Sequence, residues 1–154
     1  MNSISRLGAW ASALGLIGTW AILSFAGTKP TGIALDAADL QWDAIPDSGG
    51  VSSAALEGEI ERGAYKAFIK FPPGASYPLH FHSADLRLVV VSGSYLYALE
   101  GQATKKYGPG SYIFVPGGLK HTSGCDRGSA CVFFQEQPAK FDEVASSKAK
   151  TAEK

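Results

Sequence analysis

The chain has 154 residues, 45% apolar and 18% charged, with 18 glycines and 8 prolines. Fourteen basic residues balance fourteen acidic ones, which leaves no excess of cations to neutralise the phosphates of a nucleic acid. This apolar content excludes wholesale disorder, and the frequency of Gly and Pro excludes a fold of long helices.

Arg6 is followed by 22 uncharged residues, Leu7 to Thr28, and Ser24-Phe25-Ala26 places small residues where a signal peptidase reads. Residues 1–26 are therefore expected to be a signal peptide. The alternative is an N-terminal membrane anchor, because ~20 apolar residues can just cross a bilayer, and residues 7–26 would then be the one membrane contact. Both readings put the rest of the chain outside the cytoplasm, either periplasmic or secreted, or anchored and facing outward. Loss of residues 1–26 leaves 13 basic against 14 acidic side chains.

Residues 27–50 read as an arm, with a linker at Thr28-Lys29-Pro30-Thr31-Gly32 and a turn at Pro46-Asp47-Ser48-Gly49-Gly50. Residues 51–142 read as short strands broken by turn chemistry: 51–56, 64–71, 79–81, 86–91, 95–99, 111–115 and 130–135. Seven short strands at this spacing predict an all-β sandwich or closed barrel. Residues 143–154 read as a solvated, flexible tail.

Cys125 and Cys131 flank Asp126-Arg127-Gly128-Ser129-Ala130, a turn-like stretch between two apolar runs. A hairpin here would let the pair form a disulfide, which an exported compartment would preserve; two unlinked thiols are the alternative.

The chain's three histidines carry the chemistry. His80-Phe81-His82 ends a strand pattern, so alternation points both imidazoles to one face and Phe81 to the other. His121 follows the turn Pro116-Gly117-Gly118, which can swing it back toward the pair. Imidazole is the commonest metal ligand, and three that converge leave open positions for water or substrate. Three structural histidines are the competing reading.

Gly74-x5-His80-x-His82-x3-Leu86-x6-Gly93 resembles the first cupin motif, and Gly110-x5-Pro116-x-Gly118-x2-His121-x3-Cys125 resembles the second, with 16 residues between them. Asp85, Ser92-Gly93, Pro109-Gly110-Ser111-Tyr112 and Pro116-Gly117 are similar to the cupins related to the C-terminal domain of ChrR anti-sigma factors. The resemblance covers roughly residues 36–142. It implies a cupin-type jelly-roll β-barrel with one divalent metal inside, held by two histidines one residue apart, a glutamate and a later histidine. It also implies a small organic ligand and pairing into a homodimer.

Two positions depart from that pattern. Leu86 stands where the family motif carries its glutamate, and Cys125 stands where the second motif usually ends in Asn. Asp85 is the carboxylate nearest the lost position. Alternation turns it away from His80 and His82, unless a turn at Ser83-Ala84 breaks the parity and makes it an additional ligand. The expected site is three neutral histidines around Fe, Mn, Ni, Cu or Zn. An ion without a carboxylate ligand keeps its full charge and favours anionic ligands. Cupins with three-histidine sites include Fe(II) dioxygenases, so the resemblance implies a metal-dependent dioxygenase or oxidoreductase on a small organic anion. The alternatives are a non-catalytic metal-binding or ligand-sensing cupin, and a metal-free structural barrel. Leu86, Tyr97, Phe114 and Gln135 are the pocket candidates; Tyr65, Phe68, Phe133, Lys70 and Tyr95 are weaker ones.

Overall fold

The computed structural model describes residues 32–146, so the expected signal or anchor segment at residues 1–26, residues 27–31 and residues 147–154 lie outside the described part. Eleven strands form two antiparallel sheets. The first contains, in spatial order, β1 (Asp43–Ala44), β2 (Ser52–Gly58), β3 (Tyr65–Phe71), β10 (Cys131–Gln137), β5 (Leu86–Ser92) and β8 (Tyr112–Val115). The second contains β11 (Val144–Ala145), β4 (Ser76–Phe81), β9 (His121–Cys125), β6 (Tyr95–Leu99) and β7 (Lys105–Tyr107). This is the expected jelly-roll barrel.

Period-two alternation builds the interior. Tyr65, Ala67 and Ile69 on β3, Leu86, Leu88 and Val90 on β5, and Phe133 and Gln135 on β10 are buried, while the residues between them face out. Tyr95 and Tyr97 on β6 meet them from the other sheet. Phe133 is 1% exposed and packs edge-on against Phe71 and Tyr95. Truncating such a ring to Ala costs ~3–5 kcal/mol, which makes it a central support of the barrel. Gly93 turns β5 into β6 at φ 78°, where a Cβ would lie 2.4 Å from the Ala130 carbonyl oxygen, so only glycine fits.

Four strands were not visible in the sequence pattern: β1, β7, β9 and β11. β7 is a short edge strand with two exposed lysines, and β9 is mostly small or polar residues despite its burial. β1 and β11 move both expected boundaries. Asp43–Ala44 pairs with Ser53–Ser52, so part of the arm belongs to the sheet. Val144–Ala145 pairs with Phe81–His80, so the barrel continues past residue 142.

Cys125 and Cys131 are joined by a disulfide, with Cα atoms 5.7 Å apart. They do not close a hairpin. β9 pairs with β4 and β6, whereas β10 pairs with β3 and β5, so the bond staples one sheet to the other. Closing so short a loop restricts the unfolded chain by about 2 kcal/mol.

Candidate metal centre

The two elements that carry the histidines are neighbours in the second sheet. His80 on β4 lies opposite His121 on β9, and His82 follows directly after β4. Ring centroids are 4.3 Å apart for His80–His121, 5.1 Å for His80–His82 and 5.2 Å for His82–His121. All three rings are buried.

A β-bulge sets which side chains accompany them. Tyr77 pairs with Ser123 and His80 with His121, so three steps along β4 oppose two along β9. Pro78, which has no N–H for the ladder, occupies the extra stretch. Tyr77 and His80 are an odd number of residues apart, yet both line the interior.

The turn before His121 is tied to the segment that carries His82. Leu119 N–H donates to the Pro116 carbonyl (3.1 Å), and Gly118 N–H donates to the His82 carbonyl (2.8 Å). Gly117 N–H donates to Asp85 Oδ1 (3.0 Å). A Cβ at Gly117 would come within 2.6 Å of the Ser83 carbonyl oxygen.

Each histidine is held through the same nitrogen. Nδ1 of His80 contacts the Pro78 carbonyl (2.7 Å), that of His82 the Asp142 carbonyl (2.5 Å) and that of His121 the Leu119 carbonyl (2.9 Å). A carbonyl can only accept, so each Nδ1 carries a proton and donates it. Burial pushes His121 down to about 4 and lowers His82, with the neighbouring imidazoles adding to both effects. A neutral ring protonated at Nδ1 has a bare lone pair on Nε2. The three ligand atoms lie within 4.8 Å of one another. Three orientation-locked, unprotonated nitrogens on three buried rings are a donor set that fits one divalent ion.

A family model described as "ChrR Cupin-like domain" matches residues 30–140. The chain belongs to the ChrR cupin-like family. Within 55 residues it is 31% identical to dimethylsulfoniopropionate lyase DddQ of Ruegeria pomeroyi, a segment that is 36% of this chain and 27% of the lyase. The chain therefore spans little more than a quarter of that relative's length. Among solved structures, polyketide cyclase RemF of Streptomyces resistomycificus superposes with a TM-score of 0.64 at 21% identity, over 78% of this chain and 89% of that one. The Rhodobacter sphaeroides complex of SigE with the anti-sigma ChrR gives 0.53 at 25% identity, over 66% and 51%.

As a ChrR-like cupin, the chain encloses a cavity of about 340 Å³ whose wall includes all three histidines. Leu86 and Gln135 line it as expected, and so do Tyr65, Tyr95 and Phe133. Gln135 donates to the Tyr65 hydroxyl, which in turn donates to Gln137 Oε1 (3.2 Å). Burial pushes the phenols of Tyr65 and Tyr95 well up, so both stay protonated. Tyr97 does not line the cavity; it packs behind His121, with centroids 5.3 Å apart.

Three other pocket candidates face outward and are corrected. Phe114 is 42% exposed on the outer face of β8, under the Arg87 guanidinium, because β8 alternates outward at even positions. Phe68 and Lys70 also face out: Phe68 packs on Phe134, and Lys70 lies over the Trp42 ring. Asp85 is not among the converging ligands, in keeping with the expectation that it faces away; its carboxylate accepts from the Gly117 amide. The sequence reading missed Tyr77, Ser123, Phe141, Asp47 and Glu143 in the cavity wall. Ser123 shares the parity of His121 and would have followed from recognising β9. Tyr77 depends on the bulge, and the others on connections without apolar periodicity.

Proposed function

We propose that this cupin is an exported metalloenzyme that acts on a small organic anion, with His80, His82 and His121 as the ligands of one divalent ion. The observation that carries the reading is the shared orientation of the three rings, each fixed by a backbone carbonyl at Nδ1 with Nε2 left free in the cavity. A bound ion would supply Lewis acidity and open positions for substrate. The chain's own residues do the rest. Leu86, Leu88 and Val115 keep one wall dry, while Gln135 and Ser123 offer donors to a ligand's polar atoms. No carboxylate joins the converging histidine set among the described residues, so the site keeps the charge that attracts an anion.

The reaction we favour is oxidation by O₂, as in a dioxygenase. The likeness to a dimethylsulfoniopropionate lyase supports elimination as the other reaction for the same site. The likeness to the SigE–ChrR complex supports a second reading, a ligand-sensing domain that docks on another protein. The Cys125–Cys131 disulfide supports export, since such bonds persist in oxidising compartments. Pairing of two copies is also part of the reading. It is supported by exposed Val91, Tyr112 and Phe114 beside the edge strand β8.

The test uses Fe(II)-, Mn(II)-, Ni(II)- and Zn(II)-loaded protein with thiols, diketones, phenolic acids and dimethylsulfoniopropionate. Oxygen uptake above that of His121→Ala identifies an oxidase-type reaction, and dimethyl sulfide release identifies elimination. Metal binding with neither activity leaves the sensing reading, and absence of metal binding refutes all of these.

A further inference from the structure

The cavity has a second end that the histidines do not use. Phe71, Tyr77, Tyr95 and Phe133 form a continuous aromatic wall, with Phe71 centroids 4.7 Å from Tyr77, 6.0 Å from Tyr95 and 5.0 Å from Phe133. Tyr77 and His80 lie opposite Ser123 and His121, two residues or roughly 7 Å apart along β9. Asp47 and Glu143 line the same cavity from two connecting segments. Both are exposed in the way expected of residues at its mouth, and neither forms an ion pair among the described residues. Glu143 is close enough to add to the upward push that burial gives the Tyr77 and Tyr95 phenols, and it also reaches His82, so it lies between the aromatic wall and the histidines. Among the described residues, no Lys or Arg lines the cavity.

This distribution of charge selects a ligand. Aromatic faces carry negative potential that attracts cations, quaternary onium groups above all, and a carboxylate beside them adds to it. A divalent ion on three neutral imidazoles carries +2, and Asp47 with Glu143 offsets it. A simple anion would leave the loaded cavity with a net negative charge; a zwitterion would leave it neutral. We propose that the anionic group of the substrate is the carboxylate of a small zwitterion, directed to the three-histidine end, with its onium or ammonium group held by the aromatic wall with Glu143 and Asp47. The carboxylate half of this proposal rests on the metal reading above, and the cation half does not. The space, comparable to roughly ten water molecules, suits a ligand of that size.

Two isosteric pairs test it by calorimetry on the full exported domain. Glycine betaine against 3,3-dimethylbutanoate, on metal-loaded protein, differs only in the charge of the quaternary centre. Choline against 3,3-dimethylbutan-1-ol, on chelator-treated protein, asks the same of the aromatic end with no metal involved. The cationic member of each pair should bind at least tenfold tighter. The preference should fall to less than threefold in the Asp47→Asn, Glu143→Gln double variant, with metal content unchanged. Equal or tighter binding of the uncharged isosteres, or no binding of betaine or choline, would overturn the proposal while metal content still reported on the histidine site. Preference for choline in a protein that takes up no metal would support the cation end and refute the metal reading alone.

Discussion

His80 and His121 face each other across β4 and β9 with ring centroids 4.3 Å apart, and each ring is pinned by a carbonyl two residues earlier in its own chain segment. The geometry is thus local and repeated: a residue, its i−2 carbonyl and an inward-facing Nε2. His82 breaks the pattern, because its carbonyl partner belongs to Asp142.

That exception gives a prediction for the C-terminal segment. A chain ending at Phe141 loses both the Asp142 carbonyl and the pairing of β11 with β4. Metal affinity, measured by competition with a chromophoric chelator, should fall about 10–100-fold, the usual effect of losing an outer-shell partner. A chain ending at Ser146 should bind as the full chain does. Equal affinity in both truncations would count against the role given to Asp142.

Leu86 occupies an inward position, 3% exposed, in the cavity wall. Leu86→Glu should therefore return a carboxylate to the histidines, tighten metal binding at least tenfold, and lower the positive charge of the loaded site. The same change should destabilise the metal-free protein by roughly 2–4 kcal/mol, since an ionised group would then be buried without a partner. Urea unfolding with and without metal reads both effects. Unchanged metal affinity would mean that position 86 does not reach the ion.

Asp85 acts on the turn that presents His121. Asp85→Ala removes the acceptor of the Gly117 amide and should cost about 1–2 kcal/mol of stability and several-fold in metal affinity, with metal stoichiometry kept. Asp85→Asn retains an acceptor oxygen and should recover most of both. Loss of stoichiometric binding in Asp85→Asn would restore the ligand role that alternation argues against.

Acid should destabilise the metal-free domain in a defined window. His121 titrates at about 4 in the fold against 6.5 when exposed, and His82 is lowered too. Below the unfolded value the unfolded chain takes up protons that the folded chain refuses, so stability drops as pH falls from 6.5 toward about 4 and the contribution then levels off. Urea midpoints at pH 7.5, 6 and 4.5 should decline in that order, and His121→Gln should flatten part of the decline. A midpoint that rises toward acid would contradict the lowered titration of His82 and His121.

The jelly roll and the histidine trio were legible because both rest on local rules: strand alternation, glycine turns, and motif spacing that brings His121 back to His80 and His82. What the sequence did not show depends on partners distant in the chain. β9 is buried although His121-Thr122-Ser123-Gly124-Cys125 has little apolar signal, because its burial comes from lying between β4 and β6. Tyr77 enters the cavity only through the bulge at Pro78 and Leu79. Phe114 and Tyr97 were placed by residue type, but neighbouring strands decide which side of the wall each one occupies. The disulfide was legible as a pair and misread as a hairpin, since strand order and not sequence proximity selects the partners of β9 and β10.

Diffraction at the metal absorption edge, from crystals of protein loaded with the ion it retains after purification without an affinity tag, tests the central claim most directly. The account predicts one anomalous peak per chain, about 2.0–2.2 Å from Nε2 of His80, His82 and His121, with no protein carboxylate bound. A peak elsewhere, coordination through fewer than these three rings, or a carboxylate among the ligands would contradict it.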